Sequence, residues 1–95
     1  MTKVKTFPYD SAEYLDTPEA VAVYLEEAFA TDDPEFISFA LGTVARAKGM
    51  TEVARKTGLS RESLYKALSA EGNPEFATIL KVMKALDLKI TASAA

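Results

Sequence analysis

The 95-residue chain contains no cysteine and no histidine. Without cysteine there is no disulfide, no thiolate nucleophile and no cysteine-ligated metal. Without histidine, the commonest general base near neutral pH and the commonest metal ligand are both missing. No apolar run approaches the roughly 20 residues needed to cross a bilayer. The N-terminus lacks the apolar stretch of a secretory signal. These absences argue against an enzyme, a metal or cofactor site and a membrane role, and they lead to the expectation of a cytoplasmic binding protein. The carboxylate pairs Glu26–Glu27 and Asp32–Asp33 lack the spacing of a calcium loop. Ser60 and Lys66 lie six residues apart, on different sides of a helix, and make no serine–lysine dyad.

The chain does contain a divided charge. The net value is −3. Residues 1–35 hold two lysines against nine acidic residues, and residues 36–95 hold nine basic against five acidic, so the halves carry −7 and +4. Between Arg46 and Lys66 the basic residues number six (Arg46, Lys48, Arg55, Lys56, Arg61, Lys66) and the acidic ones two, Glu52 and Glu62. Such asymmetry predicts two surfaces with two different partners.

Apolar periodicity and capping residues predict a mainly helical, all-α fold of five principal helices, with an N-terminal arm and a short C-terminal strand. Residues 1–9 read as the arm, with a short strand over 3–7. Asp10 and Glu13 have capping-box spacing, which predicts a helical turn through Leu15. Thr17 and Pro18 cap a helix to Ala30, with Val21, Leu25, Ala28 and Phe29 as its buried stripe. Asp33-Pro34 starts a second helix to Lys48 whose apolar face is Phe36, Phe39, Ala40, Leu41 and Val44; Gly49 stops it. Helices over 51–57 and 61–68 follow. Asn73-Pro74 opens a fifth over 74–86, expected to be the most buried through Phe76, Ile79, Leu80, Val82, Met83 and Leu86. Leu86, Leu88 and Ile90 alternate with polar residues, a period-2 strand signal over 86–91. This organisation divides the chain into an acidic N-terminal region, 1–33, and a second region, 34–95, that holds most of the basic residues.

Residues 50–68, MTEVARKTGLSRESLYKAL, carry the most specific signal. Gly58 stands between two short helical stretches, where a sharp break needs a residue that tolerates positive φ. Ala54 is small enough to let the helices cross closely, at the roughly 90–120° of a helix-turn-helix. Val53, Leu59, Leu64 and Ala67 tie the pair to a core, and Ser60 is a good N-cap for the second helix. In this motif the second helix enters the major groove of double-stranded DNA with its N-terminal residues toward base edges. The candidates are Ser60, Arg61, Glu62, Ser63, Tyr65 and Lys66. The Arg61 fork fits guanine O6 and N7, and Glu62 accepts from cytosine or orients Arg61. Tyr65 touches a thymine methyl or a phosphate, and Lys66 meets phosphate. Thr51, at the start of the first helix, and Arg55 on its outer side suit phosphates, with Arg46, Lys48 and Lys56 adding sequence-independent attraction.

Three runs, ALGTVARAKGM (40–50), TEVARKTGLSRESLYKALS (51–69) and GNPEFATILKVMKALDLKI (72–90), together with EYLDTPEAVAVYLEEAF (13–29), resemble the addiction-module antidote proteins. These are HigA-type antitoxins with a lambda-repressor-like or Cro-type DNA-binding domain. The likeness covers about residues 7–90. The common pattern has glycine where this chain has Asp87. The resemblance implies an antitoxin of a type II module that represses its own operon and neutralises a RelE/ParE-superfamily, HigB-like toxin by direct binding. The acidic segment about 7–35, with Phe7, Tyr9, Tyr14, Tyr24, Glu26 and Glu27, is then the candidate toxin-binding surface, joined by the C-terminal strand. A homodimer is expected, because two motifs on a two-fold axis read two half-sites. The fifth helix and the strand would form its interface. The rival readings are a stand-alone phage-type repressor and a helical protein-interaction adapter that has lost DNA binding.

Overall fold

Three of the five helices among the described residues begin on a side-chain cap. In the computed structural model, which describes residues 15–95, Thr17 Oγ1 accepts from the Ala20 N–H at 3.1 Å and starts α1 (Pro18–Ala30). Asp33 Oδ1 accepts from Glu35 and Phe36 and starts α2 (Pro34–Lys48). Ser60 Oγ accepts from Ser63 at 3.0 Å and starts α4 (Arg61–Ala67). Each satisfies backbone donors that a helix start leaves free. Between them, α3 (Met50–Thr57) follows α2 after the single residue Gly49. The last helix, α5 (Phe76–Ala85), starts later than Asn73-Pro74 predicts, because Glu75 is still extended at φ −66°, ψ 152°.

The core is one cluster to which every helix contributes. Val21, Leu25 and Ala28 of α1 pack with Leu41 and Val44 of α2, Val53 of α3, Leu64 of α4 and Val82 of α5. α2 is central: α1, α3 and α4 all pack on it, while α5 packs on α3. Gly42 sets the approach of α4 to α2, since a Cβ there would overlap the Leu68 carbonyl at the end of α4.

Two expectations change. The apolar residues of α5 do not all face inward: Val82, Met83, Ala85 and Leu86 are buried, whereas Phe76 is 64% exposed and Leu80 45%. These two are one helical turn apart and share a face that α3 does not cover. Phe29 and Phe39 likewise stand at the surface, beside the stripes that α1 and α2 bury. α5 is therefore a half-covered helix rather than the most buried one.

The second change concerns residues 86–91. No strand occurs among the described residues. Leu86 caps α5, Asp87 takes a left-handed φ of 61°, its N–H donates to Lys84 O at 3.0 Å, and the Leu88 N–H donates to Met83 O at 2.9 Å. This is a Schellman helix ending, with aspartate where glycine is usual. The alternation read as a strand comes from Leu86 and Leu88 packing on the core at the helix end. The expected strand over 3–7 lies outside the described residues. So does the helical turn over 10–15 except for Leu15, which is buried and outside any helix.

Candidate nucleic-acid interface

The turn between α3 and α4 is braced at both ends. Gly58 adopts φ 77°, ψ 9°, and its N–H closes α3 on Ala54 O at 2.9 Å. Thr57, which the sequence pattern does not single out, locks the same turn. Its hydroxyl donates to Ala54 O and accepts from the Leu59 N–H, both at 3.2 Å. A threonine directly before a helix-ending glycine was the available signal, because its side chain competes locally for backbone groups.

Beyond the turn, α4 has two faces. Leu64 and, just past the helix, Leu68 are completely buried, while Arg61, Glu62, Ser63, Tyr65 and Lys66 are exposed. Ser60 caps the helix and donates to Ser63 Oγ at 2.9 Å, so these two hydroxyls are occupied with each other. Arg61, Glu62, Tyr65 and Lys66 remain as an outward set of two cations, a carboxylate and a phenol. Thr51 is exposed in the first turn of α3. The expected site residues are thus all brought to the surface of one short helix pair.

Arg55 is exposed but engaged. Its Nε donates to Glu52 Oε1 at 3.2 Å, its other nitrogen makes a shorter contact with Oε2, and Lys56 stands 3.9 Å from the same carboxylate. The hydrogen bond from Arg55 holds the Glu52 carboxyl below its ordinary range, against a smaller opposing effect of desolvation and with added attraction from Arg55, Lys56 and Lys48. The same bond raises Arg55. Among exposed groups such a pair adds little stability, but it sets where this guanidinium points. At the end of α2, Arg46 and Lys48 are exposed and add to the basic surface.

The sequence model of a family described as probable addiction module antidote proteins matches residues 5–94. The chain belongs to that family. A protein of Haemophilus influenzae (strain Rd), described only as uncharacterized, is 53% identical over 81 residues, spanning 85% of this chain and 84% of that one. No solved structure matches the chain.

An antidote implies a toxin partner. Of the residues expected to meet the toxin, Phe7, Tyr9 and Tyr14 lie outside the described residues. Tyr24 is half-buried against the core, and Glu26 and Glu27 are exposed on α1. α1 carries Glu19, Glu26 and Glu27 and no basic residue. No helix among the described residues is long and apolar enough to cross a membrane.

Proposed function

We propose that this antidote-family chain is the antitoxin of a type II module. It binds operator DNA through a lambda-repressor-like helix-turn-helix, α3–α4, represses its own operon, and neutralises a RelE/ParE-type, HigB-like toxin by direct contact. It acts by binding, without catalysis. The observation that carries the DNA reading is the split of α4, with Leu64 and Leu68 in the core and Arg61, Tyr65 and Lys66 outward, on the half of the chain that carries +4. A helix held by such an inner face is rigid enough to present its outer side chains to a groove.

Dimerisation belongs to this reading. The uncovered face of α5, Phe76 and Leu80, lies directly after the helix pair in the chain and offers an apolar contact for a second copy. A two-fold pair would then address half-sites about 34–36 Å apart.

The test is binding to DNA from upstream of this chain's own gene, across a range of salt. Phosphate neutralisation predicts a steep fall of affinity with salt, and a flat response would remove the DNA reading. Within that assay, Arg61→Ala is expected to cost about 1–3 kcal/mol on the cognate site and to relax sequence preference at one position. Unchanged preference would reduce Arg61 to a surface residue.

A further inference from the structure

A groove of about 390 Å³ runs between α1 and the C-terminal tail, and the helix pair α3–α4 does not line it. Its floor is Leu25 and Met83, both nearly buried; its apolar rims are Phe29 and Ile90, which are 36% and 40% exposed. On the α1 side, Ala22, Glu26 and Phe29 recur at helical spacing and line it as one stripe. On the other side the chain after Leu88 lies outside any helix or turn, and residues 89–95 make no backbone hydrogen bond to the other described residues. A segment held in no helix beside an apolar trough has the form that takes up a strand from another protein.

Glu26 and Lys89 both line the groove, and the excess of charge on the α1 side of it points to the chemistry of that strand. Residues 18–35 hold six acidic side chains (Glu19, Glu26, Glu27, Asp32, Asp33, Glu35) and no basic one. Helices α2 to α5 each carry a basic residue in the last turn, where it complements the helix dipole; α1 carries none and has Glu26, Glu27 and Asp32 near that end. Negative charge at a helix C-terminus is unfavourable for the helix itself, but a cationic partner would turn it into attraction.

We propose that this groove is where the toxin docks. An extended cationic segment of that protein pairs along residues 89–93, seats an apolar side chain on Leu25 and Met83, and turns its basic side chains toward Glu26 and its acidic neighbours. This rests on the antitoxin reading and gives it a place on the molecule, apart from the candidate DNA face.

The test uses the full chain and the toxin, expressed from the small gene adjacent to its own. Two variants alter exposed rims only, the pair Glu26→Lys with Glu27→Lys, and Ile90→Asp. Each is expected to weaken toxin binding by at least about tenfold, with melting not lowered and operator binding unchanged. A photo-crosslinking residue in place of Ile90 is expected to capture the toxin. Wild-type affinity in both variants, or cross-links only to residues 1–14 or to a second copy of this chain, would overturn the groove while leaving the antitoxin reading intact. Failure of the unaltered chain to bind the toxin at all would overturn the antitoxin reading and the groove with it.

Discussion

α1 and α3 end with the same local device, built from different residues. In both, a threonine hydroxyl donates to the carbonyl three residues back, and the N–H two residues on donates to that hydroxyl. Thr31 does this with Ala28 and Asp33, and Thr57 with Ala54 and Leu59. The residue between is left-handed in each case, Asp32 at φ 57° and Gly58 at φ 77°. The turn between α3 and α4 uses the residue that bears positive φ without strain. The end of α1 uses aspartate there, as does Asp87 (φ 61°) where α5 gives way to the tail. Aspartate tolerates this conformation better than most residues because its short side chain bonds locally, yet it remains costlier than glycine. The basic side is thus built for a well-defined turn. The acidic side accepts backbone strain and an unfavourable dipole while carrying negative charge, a pattern expected where residues serve a partner rather than the fold.

The comparison can be broken most severely at Leu64. Leu64→Ala removes a fully buried side chain that joins α4 to the common core, at an expected cost of about 2–5 kcal/mol. Because α1 shares that core, thermal unfolding should remain a single transition shifted downward. Two separate transitions would show that the acidic and basic sides are independent units. Gly58→Val comes next. A β-branched residue at φ 77° is expected to cost about 1–3 kcal/mol in chemical denaturation. Undiminished stability would remove the role given to this turn.

Asp87→Gly sharpens the comparison from the other side. It should stabilise the chain by roughly 0.5–1 kcal/mol by relieving left-handed strain, seen as a higher denaturation midpoint. A loss of stability would mean that the aspartate side chain contributes more than its backbone costs. The smallest effect is expected at Glu52. Its carboxyl is held low by Arg55, so the stability it adds is present above the ordinary carboxylate range and is lost as pH falls through its lowered value. Glu52→Gln should therefore differ slightly from the parent at neutral pH and converge with it in acid. The same change frees Arg55 and Lys56. If both meet phosphates, DNA affinity rises and its salt dependence steepens; an unchanged salt slope would leave them as surface charges.

Much of the fold is legible in the amino-acid sequence, and the residues that carry it act locally. Thr17-Pro18, Asp33-Pro34 and Ser60 start their helices where their side chains can reach a backbone N–H, and Gly49 and Gly58 stop theirs. The candidate DNA-facing residues were legible for the same reason, since Leu64 and Leu68 on one side of a short helix place Arg61 and Lys66 on the other. Thr57 was not, because threonine is common in helices and its bracing role depends on the glycine after it.

What residue spacing by itself determined was therefore the set of helix starts, the turn at Gly58 and the separation of charge between the two halves. Each is decided within a few residues or by simple counting. What only the tertiary structure decided was which apolar residues are covered. Phe76 and Leu80 obey the same periodicity as Val82 and Met83, yet the packing of α5 on α3 and the common core reaches one face of the helix and leaves these two exposed. Leu86, Leu88 and Ile90 alternate like a strand, yet the first two close a helix end and the third borders a groove. Periodicity reports that a face is apolar; whether it meets the core or is left for another molecule depends on how many elements surround it.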